Sequence, residues 1–242
     1  LEAEGSGFKG SYTLLSRHGR IPLPHEPAAS PPPSMPALAA PALTSLPLRR
    51  LIKLFVSSAR EQGSSQAAIQ LIRPHIQDIW TGLSEKDRRC FLRHIRPIWE
   101  VHRHRIPKPH HDALESLRVQ GRLTVMAGHL RCISRRANCT DVELSTRGES
   151  IKRSFGGILL CAGPEGDLTK VQNPLVRNLL ERNILQAGPL GLGGFINPNT
   201  PGNSTISMIG PLQREALWEI TAVREIRSEA SKLARHILTR VT

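Results

Sequence analysis

The chain has 242 residues, enough to bury a full core as one large domain or two small ones. It carries no apolar run near the ~18 residues of a membrane span, and its first residues lack the basic, apolar and small-residue succession of a secretory leader, so no membrane partner is expected. A net charge of +13 raises nucleic acid, but the basic residues are scattered and aromatics make up only 4%, so no specific nucleic-acid partner is expected and phosphate-bearing cofactors are the better match. The cysteines Cys90, Cys132, Cys139 and Cys161 form neither CxxC pairs nor a dense framework, which points to a reduced, cytoplasmic chain.

Residues 1–10, LEAEGSGFKG, read as the tail of a helix running into glycine-rich turns. Ser11–Leu15 is a short strand candidate followed by Ser16-Arg17-His18-Gly19. In a βαβ nucleotide unit an acidic residue after the second strand holds the ribose of NAD, whereas an Arg there accommodates the 2′-phosphate of NADP, and Arg17 occupies that place. Pro22–Pro47 holds nine prolines and reads as an extended loop of polyproline character.

A helical block is expected over 44–105. Thr44 or Ser45 would cap a first helix bearing Leu48, Leu51, Ile52, Phe55 and Val56. Ser64 or Ser65 would open a second, with Ile69, Ile72, Ile76, Ile79 and Trp80 inward, which Pro74 should kink or split. Ser84 and Asp87 would start a third carrying Phe91, Ile95, Ile98 and Trp99. Its end, His102-Arg103-His104-Arg105, suggests an anion-facing group more than a metal, because histidines two apart do not share a helix face.

A short helix over 113–120 closes at Gly121. The strand candidates Leu123–Met126, Leu130–Ser134 and Val142–Ser145 then make a β-meander. Gly156–Pro164 reads as a buried strand ending at a small-residue turn, and 172–183 as a helix. Cys161 fits a buried small hydrophobe better than a nucleophile. GPLGLGG, 188–194, is a loop, since Pro198 and Pro201 forbid the helix that a dinucleotide fingerprint needs. The last stretch predicts a short strand at 206–209, a Gly210-Pro211 turn suited to an anion, and a long helix to 238 with Ala216, Ile220, Val223, Ile226, Ala230, Leu233 and Ile237 on one face.

Four of these segments, SRHGRIPLPH, FLRHIRPIWEVHRHRIP, LLCAGP and IGPLQREALWEITAVREIRSEA, together resemble the bacterial FAD/NAD(P)-binding oxidoreductase family, in order and spacing, from about Ser11 onward. The resemblance implies an α/β fold of incomplete Rossmann-like nucleotide-binding domains with a helical insertion and a β-meander. Residues 1–163 would be the remainder of an NADPH-binding domain, with the Pro-rich loop 22–47 and the insertion 44–105, and 164–242 the return segment of an FAD-binding domain. It implies cofactor contacts from Ser16 and Arg17 to NADP, from Cys161, Ala162, Gly163 and Pro164 at the crossing between domains, and from Gly210, Pro211, Trp218, Glu219, Ile220 and Thr221 to FAD. The expected function is the C-terminal part of an FAD-dependent, NADPH-using oxidoreductase acting on a small molecule, by hydroxylation if oxygen is the acceptor. Where related flavoproteins carry Gly-Asp this chain has Gly210-Pro211, so backbone groups would replace a carboxylate. No glycine fingerprint occurs within the 242 residues, so the chain alone is expected to hold FAD weakly. The rival expectation is a truncated, non-enzymatic basic adaptor that binds protein or nucleic acid.

Overall fold

The computed structural model describes residues 2–27, 40–200 and 206–241. Helix accounts for 46% of the structure and strand for 18%, with the strands divided among three small sheets, so the expected α/β class holds at that level. In chain order the first elements are α1 (Glu2–Gly5), β1 (Tyr12–Ser16), α2 (Ala40–Thr44), α3 (Leu48–Glu61), α4 (Ser65–Ile72) and α5 (Ile76–Gly82). There follow α6 (Glu85–Cys90), α7 (Arg96–Arg103), α8 (Lys108–Val119), β2 (Leu123–Ala127), β3 (His129–Arg135), β4 (Thr140–Thr146) and β5 (Glu149–Phe155). The last are α9 (Pro174–Glu181), β6 (Leu185–Ala187), β7 (Gly194–Ile196) and α10 (Val223–Val241). Within the described residues, one compact unit comprises 2–27, 58–69 and 91–161, and the other 40–57, 70–90, 162–200 and 206–241.

Local chemistry sets the helix boundaries. The Ser64 hydroxyl accepts the Ala67 N–H at 3.0 Å and opens α4. Pro74, which has no N–H and whose ring crowds the preceding turn, ends α4 in a single 3-10 turn, Arg73–His75, before α5 resumes. Ser84 accepts the Asp87 N–H at 3.1 Å and opens α6. The expected third helix is not continuous, because Pro97 lies in the first turn of α7 and a π turn, Phe91–Ile95, separates it from α6. Ser45 does not cap α3; its hydroxyl donates to the Ala42 carbonyl at 3.3 Å and closes α2, a helix inside the stretch expected to be extended. Residues 28–39 of that stretch lie outside the described residues.

In the first unit, β1 and β2 pair in parallel, from Tyr12 opposite Leu123 to Ser16 opposite Ala127. β2 therefore does not belong to the meander. The meander is β3-β4-β5, antiparallel, and its third strand, ESIKRSF, carries too many polar residues to be read as a strand from composition. Arg147 and Gly148, with φ of 49° and 88°, form the tight turn that joins β4 to β5. Val142 and Leu144 bury one face of β4. Glu4 clamps the start of the parallel pair: Arg122 donates to its two oxygens at 2.6 and 2.8 Å, and the Tyr12 hydroxyl donates to it at 2.7 Å. These bonds, the Arg122 bond foremost, hold the Glu4 carboxyl below the usual carboxylate range.

In the second unit, Trp80 of α5 stacks on Trp218 with ring centroids 4.9 Å apart, and its indole N–H donates to the Glu215 carbonyl at 3.0 Å. The Arg214 guanidinium lies 4.3 Å from the Trp218 ring centre. Gly82 lets α2 approach α5, since a Cβ there would sit 2.2 Å from the Thr44 carbonyl oxygen. The loop 188–194 is wrapped around a carboxylate: Leu190 N–H and Leu192 N–H donate to the two oxygens of Glu215 at 3.0 and 3.2 Å. These inward contacts break the expected long helix. Residues 211–222 form a 3-10 turn, Pro211–Gln213, and further turns, and α10 begins only at Val223. No strand forms at 206–209. Nor does Gly156–Pro164 form a buried strand: it makes no backbone hydrogen bond to another described residue, and Leu159 and Leu160 are 91% and 70% exposed. Apolarity alone suggested burial there, but a strand needs a ladder partner.

Glu215 is 2% exposed, so Glu215→Ala leaves two loop N–H groups without acceptors. Urea denaturation should show a loss of about 2–6 kcal/mol, the summed cost of two unsatisfied donors, one buried and one part-buried. Glu215→Gln, which keeps one acceptor, should recover part of it.

Candidate functional site

The carboxyl ends of parallel strands are where open α/β sheets bind ligands, because chain leaving each strand there forms loops free to meet them. In the first unit that edge is Ser16 of β1 beside Ala127 of β2. The Ser16 carbonyl accepts two N–H groups, from Gly19 at 3.3 Å and from Gly128 at 3.0 Å, which ties the turn after β1 to the turn after β2. Arg20 N–H reaches the Ser16 hydroxyl at 3.4 Å. Gly19, with φ 57°, lies flush on β2, and a Cβ there would stand 2.9 Å from the Ala127 nitrogen. Below it, the Thr146 hydroxyl donates to the Ala127 carbonyl at 2.8 Å.

The tight turn leaves Arg17, His18 and Arg20 exposed around its tip. No carboxylate occurs between Ser16 and His25, so the turn presents positive charge without a local counter-ion in sequence. Arg17, which sequence reasoning singled out, thus stands one residue beyond the end of a parallel strand. Gly19 is the residue of this candidate site that sequence reasoning did not single out; its place two residues after that arginine was its only signal.

Beyond the turn, residues 23–26 run beside the end of α7. Leu23 N–H bonds to Val101 at 3.1 Å, Ile106 N–H to Leu23 at 3.0 Å and His25 N–H to Ile106 at 2.9 Å. The HRHR segment divides its side chains among separate partners. His102 Nδ1 lies 2.8 Å from the Ser65 hydroxyl, and His104 Nε2 lies 3.3 Å from Glu100. The anion that Arg105 faces is Glu26, at 2.7 Å. Burial, then the neighbouring Arg105 and Arg20 charges, push the His102 pKa below its ordinary value, and Glu26 opposes them. Among the described residues no group of three or more His, Cys, Asp or Glu is placed to hold a metal ion.

The remaining expected contacts fall elsewhere in the chain. Cys161, Ala162, Gly163 and Pro164 are exposed, in irregular backbone. Gly210 is buried with φ 84° and has open space where a Cβ would point, while Pro211 begins the 3-10 turn. Trp218, Glu219 and Ile220 are buried, and Thr221 is exposed. Among these, Trp218 already spends its ring face on Trp80.

Comparison with protein families, curated proteins and solved structures finds no match to this chain. No described helix is long and apolar enough to cross a membrane. The functional reading therefore rests on the geometry of the turn and on the sequence itself.

Gly19→Ala forces a left-handed backbone and a contact under 3.0 Å onto the β2 main chain. It should destabilise the protein by roughly 1–3 kcal/mol in a denaturant titration and loosen the Arg17 turn. Arg17 is exposed and makes no side-chain hydrogen bond or ion pair with another described residue, so Arg17→Ala should leave stability within about 0.5 kcal/mol of the parent.

Proposed function

We propose that this chain is the NADPH-contacting and FAD-contacting part of an FAD-dependent oxidoreductase that acts on a small molecule. The observation that carries the reading is Arg17, exposed one residue past the carboxyl end of a strand in a parallel pair, on a turn without a carboxylate. An acid at that position would hydrogen-bond the 2′-hydroxyl of NAD and repel a 2′-phosphate, whereas an arginine pairs with the phosphate. The parallel pair also supports the finer reading of an incomplete Rossmann-like domain, since parallel strands require a long crossover of the kind that 17–122 supplies.

On the flavin side, the reading narrows to backbone. Trp218, Glu219 and Ile220 point into the core of their unit, so the groups left to meet a cofactor are the Gly210 main chain and the exposed Thr221. NADPH and FAD would supply hydride-transfer chemistry, with Arg17 holding the 2′-phosphate and the Gly210 main chain and Thr221 meeting the flavin. The cofactors carry that chemistry and the protein supplies position and charge.

Isothermal titration with NADP⁺ and NAD⁺ tests the reading. A charge-assisted contact to the 2′-phosphate contributes about 1.5–3 kcal/mol, so NADP⁺ should bind roughly tenfold to a hundredfold tighter, and Arg17→Ala should erase most of the difference. Equal affinities in the unmutated protein contradict it. Because no glycine fingerprint lies in these residues, equilibrium dialysis should find FAD bound weakly, and stoichiometric flavin retained through gel filtration would count against this account of the FAD site.

A further inference from the structure

The segment that follows the Arg17 turn is fastened by one buried cation. Arg105 is 3% exposed in its side chain, and its guanidinium is spent on four bonds. It donates to the His102 carbonyl at 3.1 Å, the Pro24 carbonyl at 2.7 Å, the Glu26 carboxylate at 2.7 Å and the Ser65 hydroxyl at 2.7 Å. Two of those acceptors belong to residues 24–26 and one to the first residue of α4. Gln66 adds a reciprocal pair with the Glu26 backbone, at 3.1 Å in each direction, and Ser64 bonds the Glu26 carboxylate. A buried guanidinium must keep such partners, since its charge is otherwise uncompensated.

His102 sits on the same serine. A neutral ring protonated at Nε2 accepts the Ser65 hydroxyl at Nδ1, while the Ser65 oxygen accepts from Arg105. A protonated ring would make the Ser65 oxygen an acceptor for two cations. The charged groups that bear on His102 are Arg105 beyond α7 and Arg20 and Glu26 after β1, two cations against one carboxylate; the α4 residue that it touches, Ser65, does not titrate.

We propose that residues 23–26 are a strap latched by Arg105 and Glu26, that the strap positions the Arg17–Arg20 turn, and that protonation of His102 releases it. The strap starts three residues after Arg20, so its attachment limits where that turn can move. The link to ligand binding rests on the reading of the turn as a phosphate site; the latch itself does not. A histidine held below its ordinary value stabilises its surroundings above the unfolded value of about 6.5 and loses that contribution as pH falls through the folded value. Release therefore belongs to the mildly acidic range, and the turn is held at neutral pH.

The test is hydrogen exchange of the Leu23, His25 and Glu26 amides, expressed as protection factors, together with NADP⁺ titration, in the unmutated chain, His102→Gln and Glu26→Gln. Protection in the unmutated chain should fall roughly tenfold from about pH 7.5 to about pH 5.5, and His102→Gln should flatten the profile. Glu26→Gln, which keeps the side chain's shape but removes the anion, should show low protection at both pH values. NADP⁺ affinity should fall in parallel with protection, measured against His102→Gln at the same pH, which cancels the titration of the 2′-phosphate. High protection in all three proteins at both pH values overturns the latch. Responsive protection with unchanged NADP⁺ affinity overturns the positioning role. Responsive protection with no NADP⁺ binding at any pH upholds the latch and sinks the nucleotide reading of the turn instead.

Discussion

The parallel pairing of β1 with β2 is the constraint on which the proposed phosphate site depends. The two strands are separated by more than a hundred residues in sequence, yet they pair over their full length with no register shift. Three polar devices fix that pairing at its ends. Glu4, held by Arg122 and Tyr12, anchors the start, and the Ser16 carbonyl gathers Gly19 and Gly128 at the finish. Thr146, from the neighbouring meander, closes off the Ala127 carbonyl. With its backbone groups satisfied in this way, the edge leaves the side chains of Arg17 and Arg20 exposed, and these are cationic.

A common logic runs through both units: buried or half-buried charges organise loops that hydrophobic packing alone leaves undetermined. Arg105 gathers residues 24–26, and Glu215 gathers the glycine-rich loop 188–194. In the second case backbone N–H groups in a glycine-rich loop do cradle an anion, but the anion is the protein's own carboxylate. Gly188 has to be glycine for that reason, since a Cβ there would lie 2.2 Å from the Glu215 carboxyl carbon. Charges of this kind contribute little beyond the cost of their own desolvation, but they select one loop conformation over others.

What was legible in the sequence was local. Ser64, Ser84 and Pro74 act where their chemistry acts in any chain, at helix starts and breaks. What was not legible depended on partners distant in sequence. β2 looked like the first strand of a meander because periodicity says nothing about which strand lies alongside. The polar β5 was invisible until Glu143 and Asp141 stood opposite Lys152 and Ser154. The helical periodicity after Gly210 was real but lost to Trp80 and to the glycine loop, which draw Trp218 and Glu215 inward. Of the candidate site, the position of Arg17 after a strand could be read, whereas the Arg105–Glu26 pair spans about eighty residues and carries no spacing signal.

The central claim is that the Arg17 turn, at the carboxyl end of the parallel pair, receives a nucleotide phosphate. The most direct measurement is a titration of adenosine 2′,5′-bisphosphate into isotopically labelled protein, followed through its backbone amide resonances. The account predicts saturable shifts at Arg17, His18, Gly19 and Arg20 and at Gly128 and His129, and the loss of those shifts in Arg17→Ala. Saturable shifts confined to other segments, with this turn unmoved, would contradict it.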